Sequence, residues 1–312
     1  MRRPVISSAA MLVAGLLLVV SCTSASQNAA PRSPVEGTGG AGIVVGAFNF
    51  SESEILAHLF ADALNAAGLR ATVKALSTRE LVQPALWAGQ VQVVPEYTST
   101  LTAFLNAHDR VSGAKRGHDL HGTMTALREA ASRHHLIVLN PSAAANQNVF
   151  AVTGQFARDN HLSSLSDLAR YRGPLVLGGP AECPTRPYCA PGLREVYGIH
   201  PTGFRRLDPG GPLTKLALKT GQIQVGLLFS SDPGIRAYGL RVLADDKRLQ
   251  DVDVVVPVVN RTVASPRLAA ALNKVMAVLT TGELMRLNAA AELEHIDPAA
   301  VARAYLTSKG LT

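Results

Sequence analysis

Two aromatic residues occupy matching places in this 312-residue sequence: Tyr97 lies eight residues past Gly89, and Phe229 eight residues past Gly221. Rings presented together in this way suit a cationic or flat ligand, since a desolvated cation over an aromatic face gains on the order of 0.5–2 kcal/mol per ring. Polar residues accompany both. Thr100 follows Tyr97 in PEYTST, Asp232 follows Phe229 in FSSDPG, Arg186 lies in AECPTRP, and Phe48 and Asn49 lie in GAFNFSE. Core burial is the competing role for the two rings, weakened at Tyr97 by its polar neighbours Glu96 and Thr98. Cys183 and Cys189 bracket a proline-containing loop, CPTRPYC, which in an oxidising compartment reads as a local disulfide, worth roughly 2 kcal/mol by chain entropy. A pair of metal ligands is the alternative, although no CxxC or HxxxH set accompanies them. His118 with His121, and His134 with His135, lie in a polar stretch and read as helix-surface residues. No serine sits in a GxSxG turn and no loop reads GxxxxGK[ST], so the sequence assigns no catalytic residue, cofactor or metal.

These residues need elements to aim them. GIVVGAF from Gly42 reads as a strand, and Ser51 with Glu54 fits a capping box opening a helix that Gly68 ends. A strand at 71–76, a helix at about 79–88 and a strand at 91–94 follow. The same order returns 132 residues later, with Gly178 for Gly46 and GQIQV at Gly221 for GQVQV at Gly89; both pairs of glycines are 43 residues apart. Strands alternating with helices imply a parallel sheet in each half, and ligands bind such sheets at the carboxyl ends of their strands. Residues 145–154 read as a crossing from the first half to the second, and DVDVVVPVVN (251–260) as a returning strand. Two crossings make a two-segment hinge around a cleft.

Length and composition agree with this plan. Hydrophobic residues make up 47% and charged residues 17%, which excludes disorder. The net charge of +7 includes Arg2 and Arg3 and is spread singly, without the basic stripe of a nucleic-acid binder. An apolar run from about Ala9 to Val20 follows those arginines and ends in VVSC, with Cys22 preceding a Ser/Gly/Pro-rich stretch. This reads as a secretory leader over residues 1–21, and its small-residue break resembles the bacterial lipoprotein signal, which implies that Cys22 carries the lipid anchor; a cysteine that happens to end the leader is the alternative. Residues 22–41 then form a flexible tether, and the folded body works outside the cytoplasm, anchored to the cell membrane.

NFSES (49–53), PEYTST (95–100), AECPTRP with PGLREVYG, FSSDPGI (229–235) and DDK (245–247) resemble the solute-binding lipoproteins of osmoprotectant ABC importers, the ProX-like binders of glycine betaine, choline, carnitine and proline. The resemblance covers about residues 42–306. It implies an α/β, type II periplasmic-binding-protein fold, with lobe I from 42–146 plus 254–312 and lobe II from 147–253. It also implies a monomer that closes on an osmolyte-like small molecule and delivers it to ABC permease subunits, not an enzyme. In that family a tyrosine cage holds a trimethylammonium group while lysine, arginine and threonine clamp a carboxylate. Tyr97 matches a cage tyrosine, and Thr100 and Arg186 match clamp members. Phe229 stands at a cage tyrosine, Asp253 at another, and Phe48 at the clamp lysine; a fourth cage position falls among Ser142 to Ala144. Asp253 then suits a cation lacking a carboxylate, such as choline, whereas Phe48, Tyr97 and Phe229 suit an aromatic or polyol-like compound. A two-lobed transferase using Cys183 or Cys189 is the enzyme alternative.

Overall fold

In the computed structural model, which describes residues 42–111, 117 and 119–312, the chain builds two five-stranded sheets in succession. The expected leader, the tether, Cys22 and His118 lie outside the described residues. The first half runs β1 (Ile43–Ala47), α1 (Ser51–Ala66), β2 (Ala71–Ala75), α2 (Arg79–Trp87), β3 (Val93–Tyr97), α3 (Thr98–His108), α4 (Leu120–Ser132) and β4 (Leu136–Val138). The second runs β5 (Asn148–Thr153), α5 (Gly154–Asp159), α6 (Leu165–Leu168), β6 (Val176–Gly179), α7 (Ala190–Tyr197), β7 (Gly203–Arg206), α8 (Pro212–Lys219), β8 (Val225–Phe229), α9 (Gly234–Ala237) and β9 (Leu240–Val242). The chain then returns through β10 (Val255–Asn260) and closes with α10 (Pro266–Val278), α11 (Thr281–Glu292) and α12 (Pro298–Ser308).

Both sheets follow one plan, β2-β1-β3-β10-β4 and β7-β6-β8-β5-β9. Each is parallel except at its fourth strand: β10 runs antiparallel to β3 and β4, and β5 antiparallel to β8 and β9. The sheets are therefore mixed, which corrects the parallel expectation. In each case the reversed strand is the one brought in by a crossing chain, and it has to enter from the cleft side. The two crossing segments pair with each other at Ala145 and Val254, and Asn146 N–H donates to Asp253 O at 3.0 Å.

The repeated GQxQV string has a shared task. Val44 N–H donates to Gln92 Oε1 at 2.7 Å and Val176 N–H to Gln224 Oε1 at 2.9 Å. Each glutamine amide then donates back to its glycine carbonyl, Gly89 or Gly221, and both glycines hold φ near +70° (69° and 71°), a left-handed turn that costs glycine little. β3 runs from Val93 through Tyr97, later than the sequence places it, although Gln92 already bonds to both neighbouring strands, its N–H donating to Val44 O and its O accepting from Asn260 N–H, each at 2.8 Å. The capping box at Ser51 does not form. Phe50 is the N-cap without a side-chain bond, Ser53 Oγ instead accepts from Phe48 N–H at 2.8 Å, and Glu52 turns inward.

Candidate functional site

Between the sheets lies a cavity of about 260 Å³. Its wall is made where the sequence places it, at the carboxyl ends of β1, β2 and β3 in one lobe and β6, β7 and β8 in the other, completed by Asn146 and Asp253 from the two crossings. Four aromatic rings form one side. Phe50 stands at the centre, with ring centroids 5.9 Å from Phe48, 6.4 Å from Tyr97 and 5.3 Å from Phe229. The last contact joins the two lobes. Phe48, just after β1, and Tyr97, the last residue of β3, are nearly buried and belong to the first core themselves.

Opposite charges meet along the rest of the wall. Arg79, in the first turn of α2, lies 5.3 Å over the Phe48 ring, grips both oxygens of buried Glu96 at 2.8–3.2 Å and donates to Thr100 Oγ1 at 3.3 Å. Arg186 reaches across the cleft to Glu80 at 3.0 Å and also holds Glu182 at 3.0 Å. Burial pushes Glu80 up, but the Arg186 hydrogen bonds and charge outweigh it and leave the carboxyl below its ordinary value. Both wall guanidiniums are thus engaged by carboxylates. Asp253, 2% exposed, accepts from Ser99 N–H at 2.7 Å at the start of α3. Burial nevertheless raises its carboxyl to about 7, against the pull of that amide and of Arg79. Carboxylates outnumber guanidiniums along this wall, a field that favours a cation.

Residues 41–308 match the sequence profile of the OpuAC family, described as the substrate binding domain of ABC-type glycine betaine transport system. The chain belongs to that family. It is 29% identical to the glycine betaine-binding protein YehZ of Escherichia coli (strain K12) over 96% of this chain and 98% of the relative. It is also 27% identical to a glycine-betaine-binding protein of Pseudomonas aeruginosa over 84% of this chain and 86% of the relative. The crystal structure of a glycine betaine/carnitine/choline ABC transporter protein superposes with a TM-score of 0.64 at 26% identity, covering 86% of this chain and 99% of that one. Unliganded YehZ superposes at 0.60 with 28% identity, over 88% of this chain and all (100%) of that one. The family consists of substrate-binding transport proteins with the two-lobed type II fold.

Of the residues expected at the site of this OpuAC-family chain, Phe48, Asn49, Tyr97, Thr100, Arg186, Phe229 and Asp253 all line the cavity. Asp232 does not. It is buried against Lys215, with Oδ1 and Oδ2 both 2.8 Å from Nζ, and it lines a smaller cavity of about 120 Å³ next to the first. Lys215 also holds Glu292 of α11 at 3.0 Å, so Asp232 serves contact between the lobes. Ser142 and Ala144 are buried away from the wall. Cys183 and Cys189 are joined in a disulfide, which leaves neither sulfur as a thiol nucleophile, and among the described residues no group of three or more His, Cys, Asp and Glu is arranged to hold a metal ion. His134 is not a surface decoration: it stacks on Trp87 at 4.2 Å and pairs with Asp109. Sequence reasoning missed Arg79, Glu80 and Asn146 on the wall. Their only signal was position, Arg79 and Glu80 following β2 and Asn146 falling within the crossing.

Proposed function

We propose that this chain is the solute receptor of an ABC importer for a small quaternary-ammonium osmolyte, with choline favoured over glycine betaine. The observation that carries the preference is the engagement of both wall guanidiniums, Arg79 by Glu96 and Arg186 by Glu80 and Glu182, with Phe48 where the family's clamp lysine stands. A ligand carboxylate would enter a wall rich in carboxylates, whereas a cation meets the four rings and Asp253. The glycine betaine binding of the relatives and the choline named for a structural neighbour support the class. In this reading lobe I (42–146 plus 254–312) and lobe II (147–253) close as a monomer on the solute and pass it to permease subunits in the membrane. Cys22 carries the lipid that holds the protein on the outer face of the cell membrane, and no cofactor or metal takes part.

Calorimetric titration of the chain with choline and with glycine betaine tests this. Choline is expected to bind the tighter, at a hundredfold excess over its Kd stabilising the fold by about 2.7 kcal/mol. Tyr97→Ala and Arg186→Ala are each expected to weaken binding while the protein stays folded. Unchanged affinity in both removes the site. A second reading is a flat aromatic or polyol-like ligand, favoured by Phe50 standing within 6.4 Å of three rings; tighter binding of phenol than of choline would select it.

A further inference from the structure

Glu52 lies behind the aromatic wall and lines the smaller cavity, not the main one. It is 3% exposed, and its carboxylate receives donors from four separate parts of the chain. Oε1 accepts from Tyr97 Oη at 2.6 Å and from Asn146 Nδ2 at 2.5 Å. Oε2 accepts from Ser231 Oγ at 2.6 Å and from Asn288 Nδ2 at 2.6 Å. Tyr97 ends β3 in the first lobe, Asn146 belongs to the first crossing, Ser231 follows β8 in the second lobe, and Asn288 is on α11. The amide oxygens of Asn146 and Asn288 find no hydrogen-bond partner among the described residues, so the amides are oriented through their nitrogens, by the carboxylate in both cases and also by Ser231 O, 3.3 Å from Asn288 Nδ2. Four donors fill the four acceptor positions that a carboxylate offers. Burial pushes the Glu52 carboxyl up, and the four donors oppose it.

We propose that Glu52 is a positioning residue that couples the solute site to lobe geometry, holding Tyr97 on one oxygen while the other holds Ser231 of the opposite lobe. The solute part of this rests on the reading of Tyr97 as a ligand contact. A movement of the second lobe that draws Ser231 away unbalances the carboxylate and turns the Tyr97 ring, and a solute resting on that ring favours the lobe arrangement that keeps it in place. Glutamine at this position keeps the size but sets an N–H₂ against two donors, so one pair of partners loses its acceptor.

Fluorine NMR on the full chain carrying 3-fluorotyrosine tests the coupling without any ligand, the Tyr97 line being assigned by its loss in Tyr97→Phe. Ser231 makes no hydrogen bond to Tyr97, so Ser231→Ala is expected to shift the Tyr97 line only through Glu52, and the shift is expected to vanish in a Glu52→Gln background. A Tyr97 line that Ser231→Ala leaves in place, or moves equally in both backgrounds, overturns the proposal. If Glu52→Gln does not fold, Glu52→Asp, whose carboxylate is drawn back by one methylene, takes its place. Choline affinity of Ser231→Ala, measured by calorimetry, is expected to fall about tenfold, the lower end of the weight of one hydrogen bond to a carboxylate. A wild-type chain that shows the fluorine coupling but does not bind choline refutes the solute reading and leaves the coupling standing.

Discussion

With its carboxyl raised to about 7 by burial, Asp253 changes charge close to neutral pH, and the two consequences have opposite signs. The folded chain holds this proton more tightly than the unfolded chain, whose ordinary value is 3.8. The group's contribution to stability is therefore complete below that value and is lost as pH rises through about 7. Cation binding runs the other way, because only the ionised carboxylate attracts the ligand. Choline affinity is expected to be about tenfold lower at pH 6 than at pH 8, and Asp253→Asn, which can still cap α3, is expected to flatten that profile. Calorimetry across the pH range checks both. At this scale the sequence carried the ends of strands well: Tyr97 and Phe229 sit at positions the repeat itself marks. It did not carry Arg79, since an arginine in the first turn of a helix reads as solvent-facing until a buried partner, here Glu96 seventeen residues on, is brought beneath it. Asp232 shows the reverse, a carboxylate at a strand end whose charge is taken by a lysine from the neighbouring helix.

The elements were legible where local chemistry settles them and less so where partners compete. Gly68, Gly89 and Gly221 all adopt positive φ at the turns where the pattern calls for them. The Ser51 capping box failed because the helix starts one residue earlier, with Phe50 as the N-cap and Ser51 already inside the first turn. The reversed strands β5 and β10 could not be read from alternation, since direction depends on which lobe the chain has just left. The equivalence of Gln92 and Gln224 makes a clear expectation: each, changed to alanine, removes two hydrogen bonds that tie a first strand to its glycine turn. Gln92→Ala and Gln224→Ala should each cost about 1–2 kcal/mol in urea unfolding. A large loss at one and none at the other would show that the repeat is not energetically symmetric.

At the scale of the whole molecule, the lobes meet through Phe50 and Phe229, through Lys215 and Glu292, and through Arg186 and Glu80. The last pair is partly exposed, with side chains 28% and 42% accessible, so its attraction is worth about 0.2–1 kcal/mol and is screened by salt. Glu80→Gln is expected to weaken solute binding by about two- to fivefold, and 1 M salt should reproduce that loss in the wild type but not in the variant. Calorimetric titration at two ionic strengths decides it. The strand orders carry a different consequence. Since β10 lies between β3 and β4, the sheet whose first strand is encoded earliest has a gap until residue 260 has been made, while every strand of the other sheet is present by Val242. During vectorial synthesis and export, the later-encoded half can reach its native form first, and the opening half has to wait, with an edge open to mispairing, for the chain to come back.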